Sequence, residues 1–399
     1  SFVTSAHPQL TLEVIDMEAY ALAKVCDQLG QDCIAVVETE TGNGQLVTTA
    51  GFVTARNIIL TANGAIDNTG TLQLDGVVSG SGNLSKNGPG ELFLNNTNTN
   101  SGAVHIIQGA VRLGTNAAFG DASATNIVTM DNNTTLIAGV APVNGGFGRV
   151  VFNDMVLGGD VTVDLIGTSL SMNPILNTIS TNGAFLALAG DISGAGSLTN
   201  INEGGLLLTG NNSYGGGTTF TNGIIGGNNA NAFGTGTITL GFNSWFVSQA
   251  AAGTDFANDI DLSSTLISIG GAPTTGVGPD TILSGAISGT NGFDKVGTEV
   301  LTLTGNNTYA GATTISNGIL ATSNLQANGT ASGIGQGTAL TLNGGTLTST
   351  GGFNTTQGPV AWVLGGTVTA TGSSTSTISG TGKVMLGSGA QTGTTFNVT

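Results

Sequence analysis

Hydrophobic side chains occur along most of this chain in short runs, each bounded by glycine or asparagine. From Phe52 onward these runs are continuous or alternate with polar residues, and no apolar pattern of helical length interrupts them. Runs of this kind predict short β-strands, because Gly and Asn tolerate the backbone conformations that tight corners require. The pattern therefore predicts an all-β fold built from many short strands.

Three long segments repeat one another, at residues 82–120, 196–234 and 291–329, and a partial copy begins at residue 379. Each copy contains three short apolar runs separated by Gly and Asn; from Leu301 the third copy reads LTLTGNNTYAGATTISNGIL. Three strands in about 20 to 25 residues predict one coil of a right-handed parallel β-helix, which buries its apolar face only when neighbouring coils stack.

The repeated pattern resembles the autotransporter-associated β-strand repeat of bacterial passenger domains. The third copy fits it nearly throughout, whereas Asn100 replaces the Tyr in the first copy and the second copy lacks the Lys. The resemblance implies an adhesin or surface antigen, displayed on the bacterial cell surface or outer membrane or secreted, that supports its own secretion by stacking coils. It also implies a C-terminal outer-membrane β-barrel in the parent chain and an unidentified ligand on a host or bacterial surface.

Residues 1–41 differ in composition from residues 42–399, so we place a domain boundary between them. Residues 12–29 carry apolar side chains at helical spacing and no glycine, which predicts an amphipathic helix. Asp32–Val37 then predicts a short buried strand. The sequence therefore predicts a short α/β remnant of one helix and one strand in front of the β-helix.

The remnant contains the stretch IDMEAYA at Ile15–Ala21 and resembles the C-terminal part of the nucleoside phosphorylase family, most closely the methylthioadenosine/adenosylhomocysteine nucleosidases. The resemblance covers residues 1 to 36. The catalytic Asp of the family is missing, because Val37–Thr41 reads VETET. A purine nucleosidase or phosphorylase-related protein, without activity, is therefore the first alternative function. The implied nucleoside contacts are Phe2 and Val3 for the base and Met17 and Glu18 for the ribose.

The composition excludes several classes of protein. Charged residues are only 8% of the chain, which disfavours disorder, and the net charge of −16 with seven Lys and Arg disfavours nucleic-acid binding. No apolar run is long enough to cross a bilayer as a helix, so we expect no direct membrane span in this segment, and no signal peptide is visible. The only cysteines are Cys26 and Cys33.

Few side chains are candidates for chemistry. His105, one of two histidines, occupies a strand position and is expected to point outward. Asp259 and Asp261 share one strand face, which weakly favours the second alternative, a glycan-active β-helix enzyme. We assign no catalytic residue, metal site or cofactor, and expect a protein that is not an enzyme.

Lysine recurs at one position of the repeat. Lys86 and Lys295 are equivalent, and Asn200 takes their place in the second copy. We expect these lysines to be solvated charges at the edge of a coil. Asn residues at the corners are expected to stack as ladders along the β-helix.

Overall fold

The computed structural model describes most of the chain between residues 35 and 349, and strands beyond it. The described residues are 35–38, 44–139, 149–166, 172–173, 178–179, 185–271, 278–323, 331–336 and 339–349, then 354–357, 362–364, 367–370, 377–380, 384–386 and 396–398. The chain forms two compact units, Ser1–Ile137 and Ala138–Thr399.

The described part of the first unit consists of strands and turns. Its strands are β1 (Ala35–Glu38), β2 (Gly44–Thr48), β3 (Phe52–Thr54), β4 (Ile58–Leu60), β5 (Gly64–Asn68), β6 (Leu72–Leu74), β7 (Val78–Gly80), β8 (Leu84–Lys86), β9 (Glu91–Leu94), β10 (Thr99–Asn100), β11 (Val104–Ile106), β12 (Ala110–Leu113), β13 (Val128–Met130) and β14 (Thr134–Gly139), whose last residues belong to the second unit.

These strands form three parallel sheets, β2-β5-β8-β11, β3-β6-β9-β12 and β4-β7-β10. Gly44 pairs with Gly64, Gly64 with Leu84 and Leu84 with Val104, so each coil advances 20 residues. A coil thus contributes one strand to each sheet, and the predicted β-helical architecture of three strands per coil is confirmed.

Alternation along each strand fills the core. Leu72, Leu92 and Val111 pair in register in the second sheet, and all three are fully buried. A buried aliphatic side chain contributes roughly 1.5–3 kcal/mol relative to an exposed one. Because each coil covers the apolar face of the next, this column stabilises the stack rather than any single coil.

Strand β1 joins the first coil by an antiparallel hairpin. Ala35 lies opposite Val47 and Glu38 opposite Gly44. The strand predicted at Asp32–Val37 is thus present over its last residues, although it pairs with β2 of the coil stack. The predicted helix at residues 12–29 lies outside the described residues, and the predicted domain boundary between residues 41 and 42 stays a prediction.

The second unit contains thirty strands in its described part. They are β15 (Arg149–Val151), β16 (Met155–Leu157), β17 (Val161–Ile166), β18 (Met172–Asn173), β19 (Thr178–Ile179), β20 (Phe185–Leu188), β21 (Ile192–Gly194), β22 (Leu198–Asn200), β23 (Gly205–Leu208), β24 (Thr218–Phe220), β25 (Gly223–Gly227), β26 (Ile238–Leu240), β27 (Ser244–Ser248), β28 (Thr254–Phe256), β29 (Ile260–Leu262), β30 (Ser268–Ile269), β31 (Thr281–Leu283), β32 (Ile287–Ser288), β33 (Phe293–Lys295), β34 (Val300–Leu303), β35 (Thr313–Ile315), β36 (Ile319–Thr322), β37 (Leu340–Leu342), β38 (Thr346–Ser349), β39 (Asn354–Gln357), β40 (Trp362–Leu364), β41 (Thr367–Ala370), β42 (Thr377–Gly380), β43 (Val384–Leu386) and β44 (Phe396–Val398).

Parallel pairing again dominates in this unit. Its three long sheets are β17-β22-β24-β26-β29-β32, β15-β20-β23-β25-β27-β30-β33-β35-β37-β40-β43 and β28-β31-β34-β36-β38-β41-β44. Two pairs, β16-β21 and β39-β42, are also parallel, and the β18-β19 pair is antiparallel. The second repeat begins with β22 in the first of the long sheets, whereas the third begins with β33 in the second of them. Equivalent repeat positions therefore lie on different sides of the coil.

The interior of the second unit contains a group of three phenylalanines. The ring centroids of Phe233 and Phe246 are 5.4 Å apart, and Phe256 lies 5.6 Å from each of them. All three side chains are buried. Such tilted and edge-to-face contacts add roughly 0.5–1.5 kcal/mol per pair to the burial of the rings.

One glycine in each repeat closely approaches the backbone of the preceding coil. Gly120 and Gly234 have positive φ angles of 111° and 62°, and a Cβ there would meet the backbone oxygen of Asn100 or Tyr214. Gly335, with φ of 72°, makes the same approach to Tyr309. Gly335 therefore makes in the third copy the contact that Gly120 and Gly234 make in theirs, and the predicted end of this copy at residue 329 stays a prediction.

Candidate functional site: buried polar side chains of the repeats

Each repeat directs polar side chains into the core at three equivalent positions. Their exposed fractions lie between 0% and 4%. In the order of the copies, the positions hold Lys86, Asn200 and Lys295; Asn98, Asn212 and Asn307; and Asn100, Tyr214 and Tyr309. Since a buried polar group must find partners inside the protein, these positions define what the repeat requires beyond apolar packing.

The second position, occupied by the corner asparagines Asn98, Asn212 and Asn307, connects three successive coils. The side-chain oxygen of Asn98 accepts from the backbone N–H of Val78, 2.8 Å away, in the preceding coil. Its amide nitrogen donates to the carbonyl oxygen of Ala118, 2.6 Å away, in the next coil. One side chain thus satisfies backbone groups on both sides of its own coil.

The other two corner asparagines make the same contacts. Each accepts from a backbone N–H 20 residues earlier, at 2.7 Å and 2.8 Å, and donates to a carbonyl of the following coil, at 2.5 Å and 3.0 Å. The donors are Ile192 and Ile287, and the acceptors are Ala232 and Gly333. The predicted ladder of asparagines stacked on one another is wrong at these positions, because each of these side chains bonds backbone groups of the adjacent coils instead.

The first position holds a buried cation or amide rather than a solvated charge. Lys86 is fully buried, and its ammonium donates to the carbonyl oxygens of Gly88 and, at 3.1 Å, Gln108. The prediction of a solvated edge charge is wrong. Strand alternation explains this, because Lys86 lies two residues after buried Leu84 and shares its inward face, while Ser85 points outward.

Lys295 and Asn200 use the equivalent acceptors. The Lys295 ammonium donates to the carbonyls of Gly297 at 2.9 Å and Asn317 at 3.5 Å, which are 2 and 22 residues further along the chain. The Asn200 amide reaches the carbonyls 2 and 22 residues on at 2.8 Å and 3.1 Å. Lys and Asn thus play the same part toward these two carbonyls, and Lys295 donates in addition to the carbonyl of Val296 at 2.8 Å.

The two lysines differ in their countercharges. Burial lowers the pKa of Lys86 to about 8, and Asp67 opposes this only by a longer-range attraction. Burial also lowers the pKa of Lys295, against the attraction of Glu299. The Glu299 carboxylate lies 3.1 Å from the Lys295 ammonium and accepts from the N–H of Gly271 at 2.7 Å. Glu299 is thereby held by both the lysine and a neighbouring turn.

The third position forms a buried pair in two of the copies. The Tyr214 and Tyr309 hydroxyls lie 2.5 Å and 2.7 Å from the hydroxyls of Thr218 and Thr313. Burial raises the pKa of both phenols. In the first copy both members change, to Asn100 and Val104. The Asn100 amide there donates to the carbonyl of Phe119 at 3.0 Å, so no hydroxyl partner is required at position 104.

Other predicted residues lie outside these positions. His105 is partly exposed on β11, as predicted, and its Nε2 lies 2.9 Å from the Asp131 carboxylate. Asp259 accepts from the N–H of Ala286 at 2.8 Å, a contact that supports a corner. Asp261 is half-buried in β29. These two carboxylates therefore give no support to the alternative of a glycan-active enzyme.

The nucleoside-contact predictions concern a region that the structure does not describe. Phe2, Val3, Met17 and Glu18 all lie outside the described residues, so their roles stay predictions. Within the described part of the chain, no three His, Cys, Asp or Glu side chains are grouped so that they could hold a metal ion. No helix in that part is long and apolar enough to cross a bilayer.

Comparison with known proteins identifies the repeat. The family described as passenger-associated-transport-repeat matches residues 84–113, 198–225 and 293–321. These matches fall inside the three predicted copies, so the resemblance to passenger repeats is confirmed. They do not include residues 1–36 and give the nucleoside phosphorylase resemblance no support.

One curated relative is similar over a longer stretch. The adhesin BmaC autotransporter of Brucella suis biovar 1 (strain 1330) is 33% identical to this chain over 191 residues. The similar segment is 43% of this chain and 5% of the relative. No solved structure matches significantly.

Proposed function

We propose that this chain is part of the surface-exposed passenger region of a bacterial autotransporter-like adhesin. Its coils form a structural support for secretion and display, and its outer faces provide the adhesive contacts. In this proposal the parent protein reaches the cell surface by way of an outer-membrane translocator. The chain acts by folding and binding, without catalysis.

The main support for the proposal is that the segments matched by the repeat family contain the buried corner asparagines. All three matched segments place an asparagine at the same corner, where it bonds the coils before and after its own. A coil that satisfies its backbone groups through its neighbours can fold onto an existing stack. Sequential folding of this kind suits a chain that emerges end first on the far side of a membrane.

Surface display is tested by antibody labelling of intact cells that express the parent gene. We expect labelling by an antibody against residues 42–399, loss of the signal after protease treatment of whole cells, and weaker adherence of a strain that lacks this segment. The purified chain should also reduce adherence, because it competes with the cells for the surface to which they adhere. Absence of labelling on intact cells, together with signal after lysis, would contradict the proposal.

The part played by the repeats is tested by a pair of adjacent substitutions. Asn212→Ala leaves the N–H of Ile192 and the carbonyl of Ala232 without their side-chain partner, which costs about 1–3 kcal/mol for each buried group. Asn211→Ala changes an exposed residue of the same type and serves as the control. We expect less surface protein for Asn212→Ala at equal synthesis. Equal amounts of surface protein for the two variants would show that secretion does not depend on the corner asparagines.

A further inference from the structure

The turn after the second strand of each repeat contains an Asn-Gly or Gln-Gly pair. The pairs are Gln108-Gly109, Asn222-Gly223 and Asn317-Gly318. In all three copies the backbone carbonyl of the first member accepts a hydrogen bond from the buried Lys or Asn side chain that lies 22 residues earlier. The three pairs therefore occupy equivalent places in the fold, and they differ in their side chains and in the groups around them.

An asparagine that precedes a glycine can lose its side-chain amide without an enzyme. The backbone nitrogen of the glycine gives its proton to water and attacks the asparagine Cγ, and the bond from Cγ to the amide nitrogen breaks. That nitrogen takes up a proton and leaves as ammonia. Water then opens the five-membered imide at either of its carbonyls, which produces an aspartate or an iso-aspartate. The rate of such an intramolecular step depends on how closely the fold holds the reacting atoms.

The side chain of Asn317 lies in position for this reaction. The Gly318 N–H donates to the Asn317 Oδ1, 2.8 Å away. Because Cγ is bonded to that oxygen, the attacking nitrogen and the carbon that it attacks are neighbours. Asn317 is exposed, and its amide nitrogen donates to none of the described residues. Water therefore has access to the imide, and no competing contact holds the amide in another direction.

The equivalent pair in the second copy is held apart by its neighbours. Asn222 is half-buried, and its amide donates to the Glu203 carboxylate of the preceding coil at 3.2 Å. The Gly223 N–H donates to the carbonyl of Asn243 in the following coil at 3.4 Å. The local sequences of the two sites are nearly the same, TNGI in the second copy and SNGI in the third. The difference between them is therefore a property of the fold.

We propose that Asn317 is a site of spontaneous deamidation, whereas Asn222 is protected by the groups around it. The reaction needs only water and adds one negative charge to the third repeat. In the iso-aspartate product, the former backbone carbonyl of residue 317, which accepts from the Lys295 ammonium at 3.5 Å, becomes a free carboxylate. The buried lysine thereby gains a countercharge in addition to Glu299, and the backbone before β36 becomes longer by one carbon. The third repeat thus acquires an irreversible change that accumulates with the age of the chain.

Peptide mass spectrometry on the full chain, incubated in ¹⁸O-labelled water, tests the proposal, because opening of the imide introduces one labelled oxygen. In the folded chain we expect the label to enter residue 317 at least about tenfold faster than residue 222. In concentrated urea the two rates should approach each other, because only the nearly identical local sequences remain. Equal rates in the folded chain, or a preference for residue 317 that urea leaves unchanged, would overturn the proposal.

Substitutions at the two sites give an independent result. Glu203→Ala removes the acceptor of the Asn222 amide and should accelerate labelling of residue 222 several-fold, whereas Glu203→Gln retains an acceptor oxygen and should leave the rate unchanged. Asn317→Gln introduces the residue that the first copy has at this position and should abolish labelling of residue 317, because Gln must close a less favourable six-membered ring. Equal rates at residue 222 in the two Glu203 variants would contradict the protection by this carboxylate. Labelling of residue 317 that persists in Asn317→Gln would refute the imide route.

Discussion

The buried ammonium of Lys86 predicts that the first repeat becomes more stable as the pH rises above neutrality. Its pKa falls from 10.5 to about 8 on burial. The unfolded chain therefore binds this proton more tightly than the folded chain. Because of this difference in affinity, protonation of Lys86 favours the unfolded chain. As the pH rises from 8 toward 10.5, Lys86 loses its proton in the folded chain but keeps it in the unfolded chain. The cost of burying a charged ammonium disappears, and the free energy of unfolding increases.

The magnitude follows from the difference in proton affinity. A fall of the pKa from 10.5 to about 8 is a loss of roughly three hundredfold in affinity, or about 3 kcal/mol. Lys86→Asn removes the titrating group and supplies the side chain that the second copy uses as Asn200. Relative to this variant, the wild-type chain should gain about 2–3 kcal/mol of unfolding free energy between pH 7 and pH 10.

Pulse proteolysis in urea, with cleavage inside residues 84–113 followed by mass spectrometry, measures this local stability. The Lys86→Asn variant provides the control, because every other titrating group of the chain, Tyr214 included, is common to both proteins. In parallel, ¹³Cε-lysine NMR of the folded chain should show Lys86 titrating near 8. A stability difference between wild type and variant that is constant from pH 7 to pH 10, or a Lys86 pKa near 10.5, would refute the buried-ammonium argument.

Two further substitutions test other features. Tyr309→Phe should lower the free energy of unfolding by about 1–3 kcal/mol, because it leaves the buried Thr313 hydroxyl without its partner, and adding Thr313→Val should recover part of this loss; urea unfolding of the single and double variants measures the coupling. Leu266 is 64% exposed and has a φ of 61°, so Leu266→Gly should raise the melting temperature by relieving about 1 kcal/mol of strain, whereas an unchanged or lower value would contradict this.

The coil architecture is predictable because two signals agree. Short runs bounded by Gly and Asn indicate strands, and the repetition of those runs indicates stacking. Three short runs are predicted in each copy, and the observed strands β11, β24 and β35 are among them. Apolar alternation and corner residues are local properties of the sequence, so they can be identified without knowing which coils pair.

The buried polar positions are harder to predict, because their partners are a coil away. Lys86 has the charge typical of a surface residue. Only its position two residues after Leu84, on the same face of the strand, shows that it points inward. The acceptor Gln108 lies 22 residues further along the chain and contributes a backbone carbonyl, which no side-chain pattern records. The role of Gly335 is hard to predict for a related reason, since its close approach to Tyr309 cannot be recognised from spacing along the chain.

The placement of the second and third repeats in different sheets limits how a partner can engage them. Asn211 and Asn306 occupy the same repeat position and are both exposed, yet the strands that precede them, β23 and β34, belong to different sheets. A flat surface that lies along one side of this unit would therefore contact one of these two asparagines and not both. Avidity from repeated motifs requires simultaneous engagement. Binding through both copies would therefore require a partner that reaches more than one side of this unit.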